Sequence, residues 1–150
     1  MDTFSVKTFQ DLTPAELYDV LQLRCRIFIV EQRCLFVDPD GYDQQCLHVL
    51  LYRGESLIGY ARVVPPAVIY PEASIGRVSS QAPLRGLGIG KLVMAKALEV
   101  CAAHFPGAPI RLMAQYYLLD FYKSYGFAPS GDIYIEDDIE HIDMYLFQTL

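Results

Sequence analysis

A chain of 150 residues that is 53% hydrophobic and 13% aromatic has the material for one packed domain and is too apolar to stay disordered. Its net charge of −6 and the lack of a basic stripe exclude the usual electrostatic footprint of a nucleic-acid binder. No apolar run is long enough to cross a bilayer, and Met1-Asp2-Thr3-Phe4-Ser5-Val6-Lys7 lacks the apolar core of a signal peptide, so the expected location is the cytoplasm and no membrane partner is expected.

Residues 4–9 alternate apolar and polar side chains and predict a first strand. Thr13-Pro14-Ala15-Glu16 is a capping box, with Thr13 as N-cap, Pro14 at N1 and Glu16 at N3. It predicts a helix running toward Ile29. Leu17, Val20, Leu21 and Phe28 form an apolar stripe on that helix, and Arg24 falls inside it. A charge on such a stripe needs an ionic partner or a wet pocket. Two readings of Arg24 stay open, an internal ion pair and the wall of a substrate cleft. Glu31 extends the stripe if the helix reaches it, and Arg26 lies on the opposite, solvated face.

Residues 34–45 read as a loop carrying Asp38, Asp40 and Asp43 around Pro39 and Gly41. The glycine comes one place early for a calcium loop and the bidentate glutamate is missing, so calcium is rejected. Turn chemistry and a substrate loop over a cleft both remain. Residues 47–52 and 57–64 predict a hairpin turning at Arg53-Gly54-Glu55-Ser56. His48 begins the first of these strands, as a half-buried histidine or as a site residue. The four cysteines, Cys25, Cys34, Cys46 and Cys101, form no CxxC pair and suit neither zinc nor a disulfide framework, so free thiols and no metal are expected. Only Cys25 and Cys34 have a spacing that could pair on oxidation.

Residues 75–79 predict another strand, followed by a turn at Pro83, the loop Arg85-Gly86-Leu87-Gly88-Ile89-Gly90 and an apolar helix stopped by Pro106-Gly107. Strand, glycine-rich loop and helix is an order that holds phosphate on helix N-terminal N–H groups. A P-loop is excluded because Leu92 follows Gly90-Lys91 where Ser or Thr is required. A dinucleotide loop is excluded because Gly90 comes one residue too soon. The helix has only Lys91, Lys96, Glu99 and His104 as polar residues, which predicts packing over most of its girth. Further strands are predicted at residues 109–114, 127–135 and 142–147, and a short helix at residues 118–125 ending at Gly126. Interleaved strands and helices without a repeat or linker give an α/β class with a mixed sheet in a single domain, residues 1–150.

Arg85, Gly88 and Gly90 satisfy R-x-x-G-x-G, which resembles the acetyl-CoA loop of the GNAT superfamily of N-acetyltransferases. Gln115 to Phe127, Q-Y-Y-L-L-D-F-Y-K-S-Y-G-F, is similar to that family's second segment. The run L-R-C-R-I-F-I-V-E-Q and the tail Y-I-E-D-D-I-E-H-I-D-M resemble its ElaA-like branch. The resemblance implies the acyl-CoA N-acyltransferase fold, a mostly antiparallel sheet of about six to seven strands with helices on both faces. It implies an N-acetyltransferase moving acetyl from acetyl-CoA directly to a primary amine, on a small molecule or a peptide, with room for a homodimer. The alternatives are a CoA-binding sensor or interaction module that performs no transfer, and a transferase using another acyl-CoA.

On this resemblance the backbone of Gly86, Leu87, Gly88, Ile89, Gly90 and Lys91 holds the pyrophosphate, with Arg85 adding charge. The backbones of Val78 and Ser80 pair with the pantetheine arm. Gln115 stands where the family usually has Asn, and Phe121 and Tyr125 flank the arm. Tyr122 matches the tyrosine that acts as general acid toward the leaving thiolate. The candidates for the base are Glu31, Asp43, His48, Glu136 and His141, with Glu31 placed first and His141 second. Arg24, Asp43, His48 and Glu136 are expected to face the acceptor. The tail departs from the branch at Asp138 and Glu140, which stand where a turn Gly and Pro are usual and bear on acceptor specificity.

Overall fold

The computed structural model describes residues 1–149. Seven strands form one twisted sheet in the order β1-β2-β3-β4-β5-β7-β6. They are β1 (Asp2–Thr8), β2 (Leu47–Arg53), β3 (Ser56–Val64), β4 (Ala73–Ser80), β5 (Ile110–Gln115), β6 (Ala128–Glu136) and β7 (Ile139–Leu146). All neighbours are antiparallel except β4 and β5. The expected mixed sheet is present, with helices on both faces.

The capping box forms as read. The Thr13 side chain accepts from the Glu16 N–H, and the Glu16 carboxylate accepts from the Thr13 N–H at 2.8 Å. It starts α1 (Pro14–Arg24), which is shorter than the sequence suggests. From Cys25 to Glu31 the chain widens into a π-helix, so the stripe is re-aimed below Arg24. Val20, Leu23 and Ile27 pack on Leu50, Leu57 and Tyr60 across one face of the sheet.

The other face is covered by α2 (Ile89–His104) and the short α3 (Leu119–Lys123). Ile89, Val93, Met94, Ala97, Val100 and Cys101 pack on Val49, Leu51, Ala61, Val63 and Ile75. Each such apolar side chain gains about 1.5–3 kcal/mol on leaving water, less for alanine. The outer face of α2 stays in solvent, with Lys91, Leu92, Ala95 and Glu99 exposed. The expected packing over most of its girth is therefore corrected. A helix on an open sheet has one neighbour, and alanines on its outside serve helix propensity instead of packing. The contact is close at Gly59, where a Cβ would lie 2.6 Å from Val93 Cγ2.

The sheet opens between its two halves. The pairs Ala73↔Ile110 and Ser74↔Arg111 are the whole of the β4–β5 ladder. Beyond them β4 carries a bulge opposite Ala61, and Arg77 sits there with φ of 53°. An extra residue in one strand increases local twist and turns the strand aside. β4 and β5 therefore splay apart, and the gap between them becomes the cleft.

Candidate active site

The cleft has a volume of about 890 Å³ and is lined by both halves of the sheet, the π-helix, α3, residues 84–86 and residues 88–91; Leu87, expected at the cofactor, points to solvent instead. On one side the turn Ala82–Leu84 leads into the glycine loop. Gly86 and Gly88 have φ of 84° and 82°, a region that costs a residue with a Cβ about 1–2 kcal/mol. Gly88 is the N-cap of α2, and no side chain caps the helix. The first intrahelical bond runs from the Leu92 N–H to the Gly88 carbonyl at 3.1 Å. The N–H groups of Ile89, Gly90 and Lys91 precede that bond and point out of the helix end, where an anion is stabilised. Gly90 has ordinary helical φ, and a Cβ there would meet no protein atom within 4 Å. Nothing in the fold demands glycine at this position, so the demand fits a ligand lying against the backbone.

The cofactor arm expected from the sequence has its counterparts around this cradle. Val78 lies in the bulge with no ladder partner on β3 or β5, and Ser80 pairs opposite Gly59. Both line the cleft, as do Gln115, Phe121 and Tyr122. Gln115 Nε2 donates to Gln32 Oε1 at 2.9 Å. Tyr125 does not reach the cleft but donates from its hydroxyl to the Lys91 carbonyl at 3.2 Å, tying α3 to the start of α2. Phe121 meets Tyr122 and Tyr125 edge-on, with ring centroids 5.1 and 5.4 Å away. Burial, helped by the nearby Tyr117 phenol, pushes the Tyr122 hydroxyl up to about 12. It therefore holds its proton at any working pH.

The acidic loop resolves into something the sequence did not show. Arg24 is fully buried, and Nε donates to Asp38 Oδ2 and Nη1 to Asp43 Oδ1, each at 2.8 Å. Arg62 from β3 grips Asp40 with both Nη atoms, at 2.8 and 2.9 Å, and reaches Asp43 Oδ1 at 3.0 Å. Arg77 donates from Nε to Asp38 Oδ1 at 3.0 Å and lies over the Phe36 ring. Burial works against the Asp40 carboxylate, but the Arg62 guanidinium outweighs it and holds the group down at about 2. Of the two readings left open for Arg24, the internal ion pair is the one found.

Three acceptor-side expectations are corrected by this network. Arg24, Asp43 and His48 are buried behind the cleft wall and do not line it. His48 Nε2–H donates to the Asp43 carbonyl at 2.9 Å, which leaves Nδ1 to accept from the Tyr60 hydroxyl at 2.7 Å. Burial lowers the His48 pKa, so it is a neutral strut. Asp40, Arg62 and Arg77 face the cleft instead. The available signal was a charge inside each of the apolar strands at residues 57–64 and 75–79, which asks for a partner just as Arg24 does.

Glu31 and His141 both reach the cleft. Glu31 is engaged by both Nη atoms of Arg85, one of them at 2.9 Å, and that pairing lowers its pKa. It is thus a weaker base than an unpaired carboxylate. His141 is 6% exposed and lies on β7 opposite Gln115. Its Nδ1–H donates to the Ile139 carbonyl at 2.8 Å, and Tyr134 stacks on the ring. No hydrogen bond engages Nε2 among the described residues. Glu136 lines the same side of the cleft. Among the described residues no group of three or more His, Cys, Asp or Glu is placed to hold a metal ion.

An acetyltransferase (GNAT) domain model matches residues 34–147. The chain belongs to the GNAT acetyltransferase family. Within it, the chain is 41% identical over 136 residues to protein ElaA of Escherichia coli, covering 89% of each. The crystal structure of that ElaA superposes with a TM-score of 0.91 over 97% of this chain and 99% of the other, at 38% identity. An acyl-CoA N-acyltransferase from Pseudomonas aeruginosa superposes with a TM-score of 0.93 over the same shares, at 37% identity. The split sheet and uncapped glycine loop are therefore parts of a GNAT acyltransferase, and its donor is an acyl-CoA.

Proposed function

We propose that this protein is an N-acetyltransferase that moves acetyl from acetyl-CoA directly to a primary amine on a small molecule or peptide, with no covalent enzyme intermediate. The observation that carries this reading is the pair of proton-handling groups on the two sides of one cleft. Tyr122 stands on the α3 side, near the cofactor cradle, and His141 stands on β7 with no hydrogen bond to Nε2 among the described residues. In the reaction the amine nitrogen bonds to the acyl carbon and the carbon–sulfur bond breaks. The proton lost by the amine goes to His141 Nε2, and the departing sulfur takes a hydrogen bond and then a proton from the Tyr122 hydroxyl. The backbone at Val78 polarises the carbonyl.

A phenol held near 12 is a poor acid toward a thiol of pKa about 8.5 in water. The same dry surroundings raise a thiol as well, as burial does for Cys101, so the gap narrows inside the cleft. A cytoplasmic location goes with this reading, since Cys25, Cys34, Cys46 and Cys101 are all free thiols.

Thermal-shift titration with acetyl-CoA, CoA and NADH, followed by an amine screen for release of free CoA, tests it. Stabilisation by both CoA species and amine-dependent CoA release are expected. CoA binding with no release for any amine would leave a binding module and overturn the transfer.

A further inference from the structure

The cleft carries opposite charge on its two lips. On the β3–β4 side it meets Arg62, Arg77 and Asp40. The rest of that network, Arg24, Asp38 and Asp43, is buried and balances to one net negative charge behind the wall. What reaches the cavity is one excess positive charge, and Arg77, although paired with Asp38 and Asp40, offers one unengaged edge of it. Its Nε and Nη2 donate to Asp38, Nη2 also lies 3.5 Å from Asp40 Oδ2, and no hydrogen bond engages Nη1 among the described residues. The guanidinium carbon lies over the Phe36 ring, 5.3 Å from its centroid. Its backbone occupies a left-handed φ of 53°, a strained region for a residue with a Cβ. Burial, with Arg62 next to it, bears against its charge more than its carboxylate partners support it. A strained arginine with a spare edge, placed on a cavity wall, is arranged to meet an anion.

On the β5–β7–β6 side the lip is acidic. Glu136 and Asp137 line the cleft at the end of β6, and both are exposed. His141 lines the same side of the cleft, on β7 opposite Gln115, with no hydrogen bond to Nε2 among the described residues.

We infer that the acceptor is a zwitterion, an amine that also bears a carboxylate, with the carboxylate on Arg77 Nη1 and the ammonium end on the Glu136–Asp137–His141 lip. This rests on the amine-transfer reading above and narrows it to amino-acid-like acceptors. A simple diamine satisfies only the acidic lip and leaves Arg77 unmet. A dicarboxylate meets Arg77 but is repelled by the acidic lip.

The test uses matched pairs that differ only by the carboxylate, lysine against cadaverine, phenylalanine against phenethylamine and γ-aminobutyrate against propylamine. Each is assayed with acetyl-CoA for release of CoA and, in parallel, for added thermal stabilisation of the CoA-bound protein. In the wild-type protein the carboxylated member of at least one pair is expected to exceed its partner at least tenfold in kcat/KM. Arg77→Met is expected to collapse that ratio toward one by raising KM, and Arg77→Lys to keep part of it. Carboxylate-free amines that equal or surpass their partners would overturn the inference and leave amine transfer standing. Selective stabilisation by the carboxylated members without CoA release would overturn transfer and keep the zwitterion site. Neither turnover nor stabilisation for any pair would overturn both.

Discussion

Gly90 separates what the fold needs from what the ligand needs. It lies in the first turn of α2 with open space where a Cβ would be, and alanine is favoured over glycine in a helix by about 0.5–1 kcal/mol. Gly90→Ala is therefore expected to keep or raise the melting temperature of the free protein while weakening CoA binding about tenfold or more. Calorimetry and a melt on the same sample check this, and an unchanged CoA affinity would remove the backbone cradle. Tyr122 makes the complementary case. Tyr122→Phe is expected to lower kcat about a hundredfold with CoA affinity within about twofold, as for the loss of a positioned acid. Its phenol is raised to about 12, so it is protonated below that pH and activity should rise with pH to a plateau. A falling limb near pH 8–9 that vanishes in Tyr122→Phe would contradict this ionisation.

At the scale of elements, the π-helix and the glycine loop are joined by one surface pair. Arg85 is spent on Glu31 before any pyrophosphate arrives. Exposed pairs contribute roughly 0.2–1 kcal/mol, so freeing Arg85 is expected to tighten CoA binding by up to about fivefold. Glu31→Gln tests this by calorimetry at low and high salt, the gain shrinking as salt screens the pair. A hundredfold fall in kcat at unchanged affinity would instead restore Glu31 as the base. The elements themselves were largely legible in the sequence. The capping box at Thr13–Glu16, the hairpin at Arg53–Ser56 and the loop at Arg85–Gly90 are local signals, each set by neighbours a few residues apart. The site was legible only where it is local. Arg24, Arg62 and Arg77 meet Asp38, Asp40 and Asp43 across as many as 39 residues of chain. Periodicity carries no information about such pairings, so His48 and Asp43 read as site residues when they are the wall behind it.

Over the whole molecule, that network sets the β3–β4 half of the cleft, because it ties α1, residues 38–43, β3 and β4 into one block. Its acid response follows from the sign of the shifts. For both Asp40 and Asp43 burial opposes the charge, but the Arg62 and Arg24 guanidinium groups outweigh it and the folded pKa is depressed, to about 2 for Asp40. A depressed carboxylate stabilises the fold fully above its unfolded pKa of about 3.9 and loses that contribution as pH falls through the folded value. Protonation also leaves Arg24 and Arg62 buried without their counter-charges, which costs more than the pairs gain. The urea midpoint is expected to fall most steeply between pH 4 and about 2. Asp40→Asn should be less stable than wild type at pH 7, and the two should converge as pH approaches 2. Convergence already complete at pH 5 would mean that the Asp40 pair contributes nothing to the fold. Because Asp40 lines the β3–β4 side of the cleft and not the start of α2, Asp40→Asn is expected to change acceptor KM while CoA affinity holds, if the acceptor lies there as proposed. That split would mark the β3–β4 wall as the side that meets the acceptor's carboxylate, apart from the cofactor cradle.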